Sequence, residues 1–276
     1  MLSYQHGYHA GNFADVHKHS ILTLVLNYLR RKPKPFTVFD VYAGRGLYGL
    51  HTTQAQKTGE AEQGILKLAD APWPALLGDY RQALRAVNAQ DSLRYYPGSP
   101  MISHSLTREA TDLVLCELHP QEFLALQQTF AGKGRRVHLH RRDALEALRA
   151  LLPPSSRRGL VLIDPSYERA GDYTAVGDAV AGALQKWPAG VYMLWYPVLA
   201  DGRHQGLLRR LEQSERPWLR SELQVRRPGI GMHGSGLFLF NPPYVLPEQL
   251  ARLADWYEPL GQDGVATLQN FVSGHF

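Results

Sequence analysis

The chain is poor in sulfur: it has one cysteine, Cys116, and four methionines in 276 residues. A single cysteine excludes an internal disulfide. Its setting in the apolar run Leu113-Val114-Leu115-Cys116 predicts a small buried strand residue and not a nucleophile. His and Cys are never clustered at metal-ligand spacing, so no metal centre is expected. No run of about 20 apolar residues occurs, which leaves no candidate membrane-spanning helix. The opening Met1-Leu2-Ser3-Tyr4-Gln5-His6 lacks the basic and apolar regions of a secretion signal, so a cytoplasmic location is expected. Charged residues are also scarce, at 20%, against the roughly 25% usual in soluble domains. With 44% hydrophobic residues, this composition predicts a packed core without a disordered tract, as one domain over 1–276.

What is present alternates. A helix is predicted over 15–31, ended by Pro33 and Pro35, and then comes the β-rich run Phe36-Thr37-Val38-Phe39-Asp40-Val41-Tyr42. Further strands are predicted at 112–117, 137–140, 160–164, 191–196, 221–226 and 236–241. Helices are predicted at 120–130, 144–151 and 173–187. Residues 52–94 are rich in Ala, Gln and Leu and predict a small inserted helical subdomain. The pattern predicts an α/β fold with a mostly parallel, seven-stranded, doubly wound sheet and helices on both faces. Ligands of such sheets bind beyond the carboxyl ends of the strands.

Those ends carry acids: Asp40 after the first strand, Glu117 after the second, Asp143 just past the third and Asp164 after the fourth. Gly44 and Gly46 form a turn that lets a ligand approach the backbone closely. The set suits S-adenosylmethionine. Glu117 can accept from ribose hydroxyls, Asp143 from an adenine amine, and the other acids face a cofactor with a cationic sulfonium and ammonium. Gly44-Arg45-Gly46-Leu47-Tyr48-Gly49 also matches the dinucleotide fingerprint. That rival requires an acid about 20 residues on, at the end of the next strand, and a pyrophosphate would be repelled by this many carboxylates. For Glu117 and Asp143 taken singly, a loop acid or a helix cap is an equal reading.

Asp164-Pro165-Ser166-Tyr167 suits chemistry on an aromatic amine. The Asp164 carboxylate and the Pro165 carbonyl are two acceptors that can hold an adenine N6 and aim its lone pair at a methyl carbon. Pro165 stiffens the turn, and Tyr167 offers a face for a flipped base. The tetrapeptide resembles motif IV of the amino-methyltransferases, with Ser166 where the motif has proline. A second match, Asn241-Pro242-Pro243-Tyr244, follows a late strand and is expected to be a structural turn at the sheet edge. Its use as the site would instead predict methylation of DNA adenine or protein glutamine.

The segment 4–19 holds His6, His9, His17 and His19 with Tyr4, Tyr8 and Lys18. Packing alone rarely uses so many. Asp15 is expected to cap the following helix. Lys18 and His19 stand badly for its dipole, which points to a nearby ligand carboxylate or phosphate. The opening Leu2-Ser3-Tyr4, His9-Ala10-Gly11-Asn12, Ala14-Asp15-Val16 and Lys18-His19 are one part of a longer pattern. With the Asp40 to Gly46 turn, Tyr96-Pro97-Gly98-Ser99-Pro100, the Asp164 tetrapeptide and Asn241-Pro242-Pro243, the chain closely resembles the bacterial large-subunit rRNA adenine-N6-methyltransferase family RlmJ.

That resemblance implies a Rossmann-like methyltransferase fold with an inserted helical subdomain and 1–19 packed at the active site. It implies S-adenosylmethionine as methyl donor, 23S rRNA as substrate and Asp164 as catalytic residue, aided by Pro165 and Tyr167. It implies cofactor contacts from Lys18, His19, Tyr42, Ser99, Glu117, Asp143 and Asp164, beside Asp40, Gly44, Gly46 and Ala144 from the strand-end reading. Tyr4 and His6 are implied to meet the target adenine. Tyr42 stands where the family pattern has histidine. A monomer is expected. The net charge of +5 and the basic clusters at 30–32, 135–136, 141–142, 157–158, 209–210 and 226–227 predict a phosphate-contacting face. A catalytically silent RNA-binding protein of the same fold is the alternative from another class.

Overall fold

A computed structural model describes residues 4–88, 92–226, 231–262 and 266–273. Leu2, Ser3 and Arg227 therefore lie outside the described residues. The strands are β1 (Thr37–Asp40), β2 (Leu47–Gly49), β3 (Tyr95–Pro97), β4 (Asp112–Cys116), β5 (Val137–His140), β6 (Gly159–Ile163), β7 (Val191–Leu199), β8 (Trp218–Gln224), β9 (Met232–Phe240) and β10 (Thr267–Val272). The main helices are α1 (Phe13–Leu29), α2 (Thr53–Thr58), α3 (Gly78–Ala86), α4 (Ser99–Leu106), α5 (Pro120–Phe130), α6 (Ala144–Leu151), α7 (Asp172–Lys186), α8 (Gln205–Glu212), α9 (Leu246–Ala251) and α10 (Ala254–Tyr257).

The main sheet has eight strands in the order β10-β8-β9-β7-β6-β1-β4-β5. This is one more than the sequence pattern predicts. The extra strand, β10, pairs with β8 on one side and leaves most of its side chains partly or fully exposed, so it has no buried period to betray it. β5, β4, β1, β6 and β7 run parallel, and β9, β8 and β10 continue antiparallel. One apolar core lies against α1, α3, α4 and α9, and a second against α6, α7 and α8. Each sheet face is thus covered, as buried parallel strands require.

The Gly-rich turn departs from the dinucleotide pattern. Gly44 and Gly46 both have positive φ, 59° and 80°, but the chain then enters β2, not a helix. β2 pairs antiparallel with β3. Residues between them form α2, α3 and short 3-10 turns, and the helix after the turn is supplied late by α4, where the Gly98 amide donates to the Gly46 carbonyl at 2.8 Å. A pyrophosphate-binding helix does not follow the Gly-rich turn, which removes the basis of the nicotinamide reading.

α1 is buried along most of its length because it lies between the sheet and the residues linking β2 to β3. A helix apolar on nearly every side is expected in such a place. Its N-cap is Asn12, whose side chain accepts from the Asp15 amide, and not Asp15 itself. Helix placement carries Asp15, Lys18 and His19 into the interior. His17, on another face of α1, is a core residue held between Ser235 at 3.1 Å and Ser221 at 3.2 Å. Burial drives it down to about 3, so it is neutral. Cys116 is fully buried, and burial pushes its thiol up to about 12.

Candidate active site

The parallel strands end at a cavity of about 440 Å³. β1 delivers Tyr42 and Gly44 to it, β4 delivers Glu117, β5 delivers Asp143 and Ala144, and β6 delivers Asp164, Pro165 and Tyr167. α4 adds Ser99. Tyr4, His6, Lys18 and His19 come from the N-terminal segment and α1. Two expected residues do not line it. Asp40 is fully buried behind the wall, and Gly46 lies against Thr129 and Phe130, where a side chain would be crowded.

Asp164 accepts from the Lys18 ammonium, which also sits 2.9 Å from the Asp15 carboxylate. Asp15 accepts in turn from His6 Nε2 and the Gly11 amide, each at 2.8 Å. Tyr4 Oη is 2.9 Å from His6 Nδ1. The charge partner of Lys18 is therefore the protein's own pair of carboxylates and not a ligand anion. Burial alone would raise the Asp15 carboxyl, but its pairing with His6 and Lys18 holds it well below the usual range. Burial alone would lower the Lys18 ammonium, but Asp15 and Asp164 hold it above its ordinary value. Asp15 and Lys18 are thus both charged at neutral pH.

His19 is different. Its Nδ1 meets Tyr96 Oη at 2.7 Å, and Tyr96 Oη meets Tyr80 Oη at 2.7 Å. Burial drives its pKa down to about 3, so it is neutral. If Tyr80 donates to Tyr96 and Tyr96 to Nδ1, the proton of His19 sits on Nε2. That atom is buried and has no hydrogen-bond partner, although the residue lines the cavity. A buried donor left unpaired costs about 1–3 kcal/mol, so this one is suited to a ligand oxygen.

Glu117 accepts from the Gly44 amide at 2.9 Å and the His119 amide at 2.6 Å, one on each oxygen. Burial raises its carboxyl despite these two donors. Each oxygen keeps a further lone pair for a ligand. Asp143 caps α6: its Oδ1 accepts from the Leu145 and Glu146 amides at 2.9 and 3.1 Å. Asp143 is thus a helix cap that also lines the cavity. A Cβ on Gly44 would meet Tyr48 Oη at 2.2 Å, so any side chain there would have to displace the Tyr48 hydroxyl.

Tyr167 has positive φ, 50°, and is buried. It donates to the Trp195 carbonyl at 2.9 Å, and its ring stacks on Tyr173 with centroids 4.3 Å apart. One face of the ring is therefore occupied by Tyr173.

Neither Asp40 oxygen completes a hydrogen bond, although the Ser99 hydroxyl and the Tyr42 amide are neighbours. Burial pushes its carboxyl up to about 7, with the charge of Asp164 adding to the effect. The fold keeps a proton that the unfolded chain releases near pH 4, so stability falls as pH rises from about 4 to about 7. Asp40→Asn removes this loss. Its melting temperature is expected to exceed the parent's by several degrees at pH 8 and by little at pH 5. An equal difference at both values contradicts the assignment.

Asn241 lies at the other end of the sheet. Phe240 pairs with Tyr192 at the start of β7, so the Asn241 turn sits at the amino ends of the parallel strands, away from Gly44 and Asp164. β9 is also an interior strand, so the turn is at the sheet's far end and not its edge. The Asn241 amide group donates to the Pro188 and Gly190 carbonyls at 2.9 and 2.7 Å, from a backbone with φ of 50°. Asn241→Ala is expected to cost about 2–3 kcal/mol by denaturant unfolding while the activity per folded molecule stays within about twofold. Selective loss of activity with unchanged stability contradicts this.

Sequence reading missed several wall residues: Asn12, Asp15, Tyr48, His119, Arg142 and Trp195. The Asn12 to Asp15 spacing was the usable signal, a cap and its third residue. It also missed Glu60, which holds His9 and Asn12 at 2.8 Å each. Of the basic clusters, Arg136 and Arg158 serve the fold by donating to backbone carbonyls, and Arg142 reaches the cavity.

Residues 33–271 match the family model described as ribosomal RNA large subunit methyltransferase D, RlmJ. The chain is 40% identical to ribosomal RNA large subunit methyltransferase J of Escherichia coli over 93% of its length and 92% of that protein. It is 38% identical to the protein of the same name from Haemophilus influenzae, over 92% of each. A Legionella pneumophila crystal structure superposes with a TM-score of 0.90 at 34% identity, covering 96% of this chain and 99% of that one.

Proposed function

Because the chain belongs to the RlmJ family of large-subunit ribosomal RNA methyltransferases, we propose that it methylates the N6 amine of an adenine in 23S rRNA, with S-adenosylmethionine as donor. The observation that carries this reading is the cavity itself. Asp164 and Pro165 share it with the Gly44 cradle, Glu117 and Asp143.

The residues fit the donor. The orphaned His19 Nε2 suits a carboxylate, the bare Gly44 backbone admits close approach, and Glu117 and Asp143 offer acceptors for ribose hydroxyls and an adenine edge. Lys18, Tyr42, Ser99 and Ala144 complete the wall around it. When bound, the cofactor supplies an electrophilic methyl group on a cationic sulfur. Asp40 is not part of that wall; its carboxyl is buried behind it, where burial favours the protonated form.

The chain's own residues do the rest. Asp164 and the Pro165 carbonyl accept from the two N–H groups of the target amine, which holds the nitrogen nearer sp³ and withdraws its lone pair from conjugation with the ring. Tyr167, backed by Tyr173, presents its remaining face to the flipped base. Tyr4, two-fifths exposed and stacked on His9 with centroids 5.5 Å apart, lies at the rim beside His6, where the target adenine enters. In this reading the described residues 4–19 supply one wall of the site, and the insertion between β2 and β3 braces it. We propose that it acts on rRNA as a monomer in the cytoplasm. No helix among the described residues is long and apolar enough to cross a membrane.

Nucleoside mass spectrometry on 23S rRNA tests the reading. A strain lacking the gene is expected to lose one N6-methyladenine and to regain it from the parent gene but not from Asp164→Ala. An unchanged methyladenine content rejects it.

A further inference from the structure

Resting on that reading, the charges around Asp164 pose a problem that amine recognition does not solve. A nitrogen that gains a methyl carbon becomes positively charged: the N–C bond forms as the donor's bond to that carbon breaks and its electron pair stays on the donor. The charge persists until one N–H proton passes to the Asp164 carboxylate, which later yields it to water. Yet the Lys18 ammonium is seated on that same carboxylate. Alone, it cancels the negative charge that the nascent cation needs.

Asp15 is placed to undo this. It stands one turn before Lys18 on α1, is 1% exposed, and contacts at 2.9 Å the same ammonium that is linked to Asp164. His6 and the Gly11 amide fix its other oxygen. The remaining groups facing this set are His19 on α1, Asp40 at the end of β1, Tyr42, Tyr48 on β2, Tyr80 on α3, Tyr96 on β3, Tyr167, and Tyr4 and His9 from the N-terminal segment. Lys18 is the cation that both carboxylates share; His19 is neutral, and His6 meets Asp15 but not Asp164.

We propose that Asp15 is a positioning residue whose second carboxylate neutralises the Lys18 ammonium, so that Asp15, Lys18 and Asp164 together present one net negative charge to the amine. Lys18 then fixes the orientation of Asp164 without weakening it. Asp15 touches neither substrate nor donor in this scheme.

Single-turnover methylation of 23S rRNA at saturating donor, over pH 6 to 10, tests the proposal on the full chain. Asp15→Asn is expected to lower the rate constant about 30- to 100-fold, the scale of one unit charge about 7 Å away at a protein's effective dielectric. KM for RNA should stay within about threefold. The Asp15→Asn rate should climb with pH as the less-stabilised ammonium is lost, while the parent shows no such rise. Asp15→Asn/Lys18→Met, which restores a single negative charge, should run faster than Asp15→Asn. Asp15→Glu should keep at least a third of the parent rate and decides the matter if Asp15→Asn does not fold. Carbon-13 NMR of lysine-labelled, donor-free protein should show Lys18 titrating at lower pH in Asp15→Asn than in the parent.

A double variant no faster than Asp15→Asn overturns the proposal, as does a pH-independent Asp15→Asn rate or an Asp15→Glu rate as low as that of Asp15→Asn. An inactive parent rejects the proposed function instead, so the two failures are distinct.

Discussion

Asp164→Ala is expected to abolish methyl transfer, by at least about a thousandfold in kcat, with the melting temperature within a few degrees of the parent. Removing one oriented hydrogen-bonding group from a closed site costs about 10²- to 10³-fold, and here the same residue also carries the charge that faces the amine. Asp164→Asn keeps one acceptor and loses that charge, so it should fall between the parent and Asp164→Ala. The fold tolerates both changes because the Lys18 ammonium, freed from Asp164, retains Asp15 at 2.9 Å. Binding of S-adenosylhomocysteine, measured by calorimetry, should weaken by no more than about tenfold, since Gly44, Glu117 and Asp143 are untouched. Substantial turnover by Asp164→Ala defeats the assignment of the site.

Gly64→Val is expected to be nearly as damaging, although Gly64 touches neither the cavity nor the sheet. A Cβ there would lie 2.1 Å from the Gly11 carbonyl oxygen and 2.7 Å from the Asn12 Cα. Both are backbone atoms, so no rotamer relieves the clash. The Ile65 amide donates to the same Gly11 carbonyl at 2.8 Å, and Glu60 grips His9 and Asn12. The segment between β2 and β3 is thus clamped onto the chain that caps α1 and positions Asp15. Forcing it away should cost about 3 kcal/mol or more, the scale of a severe steric defect. It should also remove methylation by shifting Asn12, Asp15 and His6. The check is denaturant unfolding together with an rRNA methylation assay. A stable, active Gly64→Val protein would show that this clamp is dispensable.

The strand ends were readable because parallel strands are buried on both faces and announce themselves as apolar runs. Asp164 and Glu117 follow such runs directly, Asp143 comes three residues past the partly exposed edge strand β5, and each lines the cavity. Asp40 also follows one, yet it points behind the wall: its orientation depends on how Val41 and Ser99 pack, which strand period does not encode. The helix cap was misplaced by three residues because Asn12 and Asp15 are both good caps, and only the backbone decides which one acts as such. β2 and β3 have three residues each, too few to display a period. The ion pairing of Lys18 was hidden for a related reason. Its partners are three and 146 positions away, and only the first separation is visible in a helix pattern.

The most direct measurement follows the methyl group itself. Purified protein is incubated with unmodified 23S rRNA and S-adenosylmethionine carrying a carbon-13 methyl group, and the digested RNA is analysed by nucleoside mass spectrometry. The label should appear on N6 of adenine at a single site, with the parent protein and not with Asp164→Ala. Label on another atom or base, or equal labelling by both proteins, would contradict a cavity in which Asp164 holds an adenine amine before the donor.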